Sequence, residues 1–271
     1  MWKLIFLPLL LMLLQCSNEF NNELEIPDPS FLRVLIELDI DQNEDGSISR
    51  REAECIESLS IWPSDIRGLT GLEAFINLDT LRVYMNPLEI VDLSSHKKLK
   101  HLEIIGCELG SLDVSGNHML EYLDCSSSLS MKNYLVELDL SMNPLLKYFI
   151  CRENQLNSLD VSANLDLIEL QCGYNLLTHL NVSSNKNLEL LSCTNNHLKD
   201  LDVTHNTELS RLSTCGNELT SLDIRNNRKL ILLGIDNMPE LHEVFVWELP
   251  FPPEGIRVLS DFSPGVEYIL K

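Results

Sequence analysis

The feature that most constrains this chain is a spacing. Leucine at relative positions 1, 4 and 11, a small apolar residue at 6 and asparagine at 9 describe Leu188, Leu191, Leu198, Cys193 and Asn196. The same frame fits Leu167/Leu170/Cys172/Asn175/Leu177, Leu209/Leu212/Thr214/Asn217/Leu219 and Leu146/Phe149/Cys151/Asn154/Leu156. Upstream it runs through Leu120/Leu123/Cys125, Leu99/Leu102/Ile104 and Leu78/Leu81/Val83/Asn86/Leu88, with weaker copies at Ile56/Leu59/Ile61 and Leu230/Leu233/Ile235. The segments start at 56, 78, 99, 120, 146, 167, 188, 209 and 230, so successive separations are 22, 21, 21, 26, 21, 21, 21 and 21 residues. A 21-residue unit cannot bury its own leucines, but a neighbour stacked at about 4.8 Å completes a hydrogen-bond ladder and an apolar column together. Apolar and polar residues alternate around positions 4 and 6, the period of a strand with one face inward and one outward.

Between these segments a second piece recurs, Leu-Asp-Val-Ser-x-Asn, at Leu112 to Asn117, Leu138 to Asn143, Leu159 to Asn164, Leu180 to Asn185 and Leu201 to Asn206. It is too short for a helix, so the return side of each coil is expected to be brief strands or turns. There Asp and Ser satisfy local backbone donors. Over residues 56–246 this pattern resembles the leucine-rich-repeat family. The resemblance implies a right-handed, β-rich solenoid of about nine repeats, with a parallel sheet on the concave face and few outer helices. It also implies that the position-9 asparagines bond backbone groups inside the coil. Cys107 and Ser128 stand at position 9 in two coils, and a break in the asparagine ladder is expected at both. The 26-residue spacing marks an insertion of about five residues near Ser126 to Tyr134, expected to bulge from one edge as a functional or a merely tolerated loop.

Ahead of the repeats, Lys3 and the apolar run Leu4 to Leu14 have the layout of an export signal over residues 1–16, too short to span a bilayer. Leu13-Leu14-Gln15-Cys16 resembles the lipobox of bacterial lipoproteins, which implies lipidation at Cys16; ordinary cleavage or a short anchor are the alternatives. Residues 17–27 read as a tether. With 41 acidic against 20 basic residues the formal net charge is −21, which repels phosphate backbones and anionic headgroups. Nucleic acid is therefore not an expected partner, and contact with membrane is expected only through a lipid. The expected location is the bacterial outer membrane or cell surface, otherwise the periplasm or medium.

Residues 41–52 carry the spacing of a calcium loop. Asp41, Asn43 and Asp45 fall at positions 1, 3 and 5, the Ser47 carbonyl at 7, Ser49 at 9 through water, and Glu52 at 12 with two oxygens. Gly46 permits the turn and Ile48 supplies the apolar anchor. Phe31, Val34, Leu35 and Leu38 form a helical stripe before the loop, and Ala53, Ile56 and Leu59 follow it. Residues 28–60 therefore resemble an EF-hand, similar to the helical caps of bacterial internalins. The resemblance implies a structural calcium ion as cofactor; a cap of the same shape without metal is the alternative.

Cys125, Cys151, Cys172 and Cys193 all occupy inward position 6, where a thiol packs in a column too crowded for leucine. Disulfide or metal use of the column is the lesser alternative. Cys55, Cys107 and Cys215 lie off it, and the sequence does not choose a pairing among them. The seven histidines are scattered, with solvation their expected fate. No GxSxG, Walker or dinucleotide-binding glycine motif occurs, so no enzyme is expected.

Positions 3, 5, 7 and 8 project from the concave face. Over the first six repeats they include Trp62, Tyr84, Met85, His101, Ile105, Tyr122, Tyr148, Arg152 and Tyr174, residue types that carry binding energy at interfaces. Later repeats offer Ser192, Thr194, Asn195, Ser213 and Gly216, a bland strip. The expected role is binding of a protein, or of a glycan stacked on the rings; rings packing on one another or on the insertion, and a purely structural spacer, are the other readings. Residues 247–271 lose the period, and Pro250, Pro252, Pro253 and Pro264 exclude a regular helix, so an irregular C-terminal cap is expected.

Overall fold

A computed structural model describes residues 23–261, 263 and 265–270. The export signal, Cys16 and most of the tether lie outside these residues. The described residues open with two helices, α1 (Pro29–Glu37) and α2 (Arg50–Glu54), on either side of the calcium-like loop. Strands then follow once per coil: β1 (Ser58–Ile61), β2 (Thr80–Tyr84), β3 (His101–Ile105), β4 (Tyr122–Asp124), β5 (Tyr148–Ile150), β6 (Glu169–Gln171), β7 (Leu190–Ser192) and β8 (Arg211–Ser213). The last coils add β9 (Ser221–Asp223), β10 (Leu232–Gly234), β11 (Glu243–Val246), β12 (Arg257–Leu259) and β13 (Glu267–Leu270). Ten strands form one parallel sheet in the order β1 to β8, β10, β12. The chain is thus a leucine-rich-repeat solenoid, and among the described residues its return side carries a single short 3-10 turn, Leu72–Ala74, and no long helix.

Register is strict. Leu81, Leu102, Leu123, Phe149, Leu170, Leu191, Leu212 and Leu233 pair in succession across the sheet. All are fully buried. A parallel ladder alone could slip by two residues and keep its faces; two columns of buried asparagine resist this. In the first, Asn154 donates from Nδ2 to the carbonyls of Cys125 (3.0 Å) and Cys151 (3.3 Å) and accepts the Leu135 N–H on Oδ1 (3.0 Å). Asn175, Asn196 and Asn217 repeat the same bonds one coil further on each time. Each amide therefore reads the position of two coils.

The second column lies in the Leu-Asp-Val-Ser-x-Asn turns. Asn117, Asn143, Asn164, Asn185, Asn206 and Asn227 each donate to two carbonyls of the preceding coil, as Asn164 does to Leu140 (3.1 Å) and Asn143 (2.8 Å). His96 heads this column, fully buried, with Nε2 3.1 Å from the Leu72 carbonyl. Burial lowers its basicity and favours the neutral ring. Solvation of every histidine was the expectation, and His96 corrects it. The Asp residues of these turns do what their type suggests: Asp113, Asp139, Asp160 and Asp202 each accept the N–H two residues on, at 2.8–2.9 Å.

The expected break at Ser128 does not occur. The insertion falls between positions 7 and 9 of its coil, and Asn133 enters the slot instead. Its Oδ1 accepts from Cys107 N (2.9 Å) and Leu109 N (3.1 Å), and its Nδ2 donates to the carbonyls of Ile104, Cys125 and Ser126. At Cys107 the substitution is real and is partly compensated. The thiol lies 3.4 Å from the Val83 carbonyl and 3.5 Å from that of Ile105. The Leu88 N–H, lacking an asparagine oxygen from the next coil, bonds the Cys107 carbonyl at 3.0 Å.

Both ends are closed. Asp28 caps α1 through Oδ1, bonding Ser30 N (2.8 Å) and Phe31 N (3.2 Å), while Oδ2 accepts Arg67 N (2.7 Å) and Gly68 N (3.1 Å) of the first coil. Burial opposes the charge on Asp28, but these four donors outweigh it and hold the carboxyl below its usual value. Phe31, Val34, Leu35 and Ile48 fill the end of the core. At the C-terminus the structure is more regular than residues 247–271 suggest. β12 extends the main sheet, and β13 joins β11 and β9 in a second parallel sheet on the return side. Val244 and Val246 are buried there, and Trp247, Phe251 and Tyr268 cluster with ring centroids 5.6 and 5.0 Å apart. The prolines exclude helix but leave an extended strand open to the chain on either side of them.

Asn133→Ala strands two buried N–H groups, each costing about 1–3 kcal/mol. It is expected to lower stability by about 3 kcal/mol or more in urea unfolding, whereas Ser128→Ala, which removes bonds only to Ser130 and Met131, is expected to cost about 1 kcal/mol or less.

Candidate functional site

Strand alternation decides what the concave face presents. Positions 4 and 6 point inward, so Cys125, Cys151, Cys172 and Cys193 line up inside as free, fully buried thiols. Burial pushes the Cys172 thiol up to about 12 and raises the other three likewise, which favours the neutral thiol, a small apolar group, along the column. Cys107 and Cys215 are also free, and no disulfide joins either to Cys55.

Positions 3, 5 and 7 form three rows across the coils. Row 3 carries His101, Tyr122 and Tyr148 in register. His101 stacks on Tyr122 with centroids 4.2 Å apart and planes 7° from parallel, and Tyr148 follows at 6.0 Å, tilted by 35°. Row 7 carries Trp62 and Tyr84, stacked at 4.8 Å and 20°, then Ile105 and Arg152. Trp62 keeps 63% of its surface exposed and Tyr148 37%. The rings do pack on one another, as one of the alternatives held, and in doing so they form two short stacks of which Trp62 and Tyr148 are the exposed members.

Row 5 projects as the pattern implies, and its first members are charged, the usual composition of a free surface, so the residue types alone do not single them out. Arg82, Glu103 and Asp124 are neighbours in register there. Glu103 is fully engaged, with Arg82 Nε at 3.0 Å, the Tyr84 hydroxyl donating to its other oxygen, and His101 Nε2 against the first. Burial works against its charge, but the donors prevail and hold the carboxyl low. The same contact raises the Tyr84 phenol, with burial the larger cause. Asp124 is different: it is 9% exposed and, among the described residues, bonds only to Ser126, whose N–H reaches Oδ1 at 2.9 Å. Burial raises its carboxyl, Glu103 adds to the rise, and Ser126 and Arg152 oppose it. Burial also pushes the Tyr122 phenol up, to about 12, with Asp124 the next cause.

Position 8 does not belong to the face as expected. Met85, Gly106, Glu153, Tyr174, Asn195, Gly216 and Asn237 all have φ between 47° and 67°, the left-handed turn that ends each strand. Met85 is therefore carried to the rim, where its sulfur receives the Ser130 hydroxyl of the insertion at 3.2 Å. Tyr174, 55% exposed, lines a shallow cavity of ≈180 Å³ with Lys132, Tyr134 and Gln155 and stands apart from the ring stacks. The insertion leans over Gly106, where a Cβ would sit 2.7 Å from the Met131 carbonyl. It thus walls one side of the face. Arg152 is exposed and its guanidinium donates to Gln171 of the next coil. Of the nine expected binding residues, Trp62, Tyr84, His101, Ile105, Tyr122, Tyr148 and Arg152 share the face, while Met85 and Tyr174 lie at its edge.

The calcium-like loop forms its turn at Gly46, φ 85°. Asp41 accepts Gly46 N (2.8 Å) and Asp45 N (3.2 Å), Asn43 Oδ1 also accepts Asp45 N (3.0 Å), and Asp45 Oδ1 accepts from Ser47 N (2.9 Å). Glu52 bonds Gln42 N through one oxygen and Ser49 N through the other, each at 2.8 Å, closing a capping box on α2. Ile48 is buried, and its carbonyl accepts Leu24 N at 2.8 Å, so the chain's own entry segment pairs with the loop. Among the described residues no three His, Cys, Asp or Glu side chains gather as a ready metal cluster, so Asp41, Asp45 and Glu52 are not brought together here.

No family model matches the chain, and no curated protein matches it. Solved structures do. The chain is similar to the functional domain of InlJ from Listeria monocytogenes, which includes a cysteine ladder, at 28% identity and a TM-score of 0.61 over 74% of this chain and 50% of that one. It is similar to a leucine-rich-repeat protein of Leptospira interrogans (18%, TM-score 0.63, 78% and 58% covered) and to internalin C2 of Listeria monocytogenes (16%, 0.53, 94% and 100%). This chain thus spans about half the length of the InlJ domain. The class is plain: a leucine-rich-repeat protein resembling the internalins, with a buried cysteine column of its own at Cys125, Cys151, Cys172 and Cys193.

Proposed function

We propose that this protein is a non-catalytic binding scaffold of the bacterial cell envelope that holds another protein against the concave face of coils one to five. The observation that carries this is the two ring stacks and charged row in register, walled by the insertion, while later coils present Ser192, Thr194 and Ser213 in the same rows. A rigid parallel sheet sets such side chains with little further ordering, which lowers the entropic cost of association. The ring geometry favours protein over glycan. A sugar stacks on an open ring face, and Tyr84, His101 and Tyr122 spend theirs on neighbours in the stacks, leaving Trp62 as the open ring. Edges, hydroxyls and charges remain, which suit the mixed surface of a protein partner. Export and lipid attachment at Cys16 rest on the N-terminal pattern of Lys3, the apolar run and Leu13-Leu14-Gln15-Cys16.

A structural calcium ion in the N-terminal cap is the second part of the proposal. Its support is the donor chemistry: side-chain oxygens of Asp41, Asn43, Asp45 and Glu52, the Ser47 carbonyl, and Ser49 through water, all hard oxygen ligands in the order calcium takes. The ion would draw the Asp41, Asp45 and Glu52 carboxylates together and stiffen the lid on the first coil.

Replacing Tyr84 and Tyr148 together by Ala is expected to weaken capture of an envelope or host protein at least tenfold with the melting temperature little changed. Loss of binding to an oligosaccharide array instead would move the reading to glycans, and no loss in either assay would leave a spacer. For the metal, EDTA is expected to lower the melting temperature by several degrees and calcium to restore it, an ion at a hundredfold its Kd being worth about 2.7 kcal/mol. Asp41→Asn should abolish the difference; a melting temperature indifferent to EDTA rejects the ion and leaves the binding face standing.

A further inference from the structure

Asp124 carries a carboxylate oxygen that no hydrogen bond or ion pair engages among the described residues. It sits in the middle of the concave face, in register between Glu103 and Ile150, with Tyr122 two residues before it and Tyr148 paired to Tyr122. Its side chain is nine-tenths buried, Ser126 is its sole hydrogen-bonding partner, and no cation lies within ion-pair distance among the described residues. The neighbouring Glu103 shows what a satisfied carboxylate looks like on this surface, with Arg82, Tyr84 and His101 all bonded to it. Arg152, whose charge acts on Asp124 without a bond to it, is turned to Gln171. A buried charge without a partner is costly, and a group that supplies the opposite charge in a dehydrated groove recovers that cost on binding.

We propose that Asp124 is the anchor for a Lys or Arg side chain of the partner protein, inserted between the ring stacks and bonded to the open carboxylate. This rests on the binding-face reading above and names the chemistry the partner must present. The overall charge of −21 steers a basic surface toward the molecule. At Asp124 the incoming cation also lies beside the Tyr122 and Tyr148 rings, whose quadrupoles favour it. Glu103 adds attraction without competing for the bond, because its oxygens are already taken by Arg82, Tyr84 and His101. A neutral amide of the same length gains none of these terms.

The test uses small probes on the full-length protein: N-acetyl-lysine methylamide, N-acetyl-arginine methylamide and the neutral N-acetyl-glutamine methylamide, titrated while the tyrosine ring resonances are followed by NMR. The cationic probes are expected to shift the Tyr122 and Tyr148 signals saturably, and the glutamine analogue to bind at least tenfold more weakly. Asp124→Asn should lose at least tenfold in affinity for both cations while its melting temperature stays level or rises; Asp124→Ser reads the same loss if the asparagine variant misfolds. Equal binding of the neutral analogue, or unchanged binding to the Asp124 variants, overturns the assignment. If no cation binds the wild type yet the Tyr84 and Tyr148 double change still abolishes protein capture, the anchor is rejected and the face survives. Cation binding in a protein that captures no protein would reject the face instead.

Discussion

The bond on which everything else depends is the one between a buried asparagine amide and the backbone of the coil before it. Apolar packing alone would let these coils slide, because leucine sits against leucine at more than one offset. Asn154, Asn175, Asn196 and Asn217 remove that freedom on one side of the core and Asn143, Asn164, Asn185 and Asn206 on the other. A two-residue slip would keep leucine inside but leave each amide without its carbonyls in a dry interior, at about 1–3 kcal/mol per group and repeated every coil. The polar columns therefore specify which arrangement forms, and the apolar columns make it stable.

Register turns single residues into rows, and rows into a surface. His101, Tyr122 and Tyr148 belong to three coils separated by 21 and 26 residues in sequence, yet they form one ring row because the insertion lies outside the strand and Asn133 restores the count. The same rule places Arg82, Glu103 and Asp124 side by side. Two carboxylates at equivalent positions then have opposite fates: Glu103 is held ionised by three donors, and Asp124 is buried with only Ser126. That difference comes from which side chains the adjacent coils happen to offer, and it is what makes the middle of the face chemically distinctive.

Much of this was legible in the residue pattern, and the rest failed for identifiable reasons. The period, the inward leucines and the cysteine column follow from spacing alone, since a two-residue strand period leaves no choice of face at Cys125 or Cys172. Asn133 was hidden because counting in a fixed frame assigns the slot to Ser128, and a frame cannot say on which side of a slot extra residues are looped out. Met85 and Tyr174 were assigned to the face because position 8 continues the numbering of the strand, although the backbone there has already turned left-handed. His96 is hidden as a ladder member because an imidazole stands where the later coils place an asparagine amide. Asp124 could have been suspected from three charged residues in succession at position 5, but its isolation depends on Arg152 bonding elsewhere, which no spacing reveals.

If each coil is bonded only to its neighbours and in one register, a whole coil is a removable unit and part of one is not. Deleting residues 167–187, 21 residues in all, joins Leu146's coil directly to Leu188's and brings Asn196 to the place of Asn175. The account predicts a folded chain with a single thermal transition at a modestly lower temperature, whereas deleting residues 167–176, about half as many, should abolish the transition. A 21-residue deletion that unfolds the chain as fully as the half-coil deletion would contradict it.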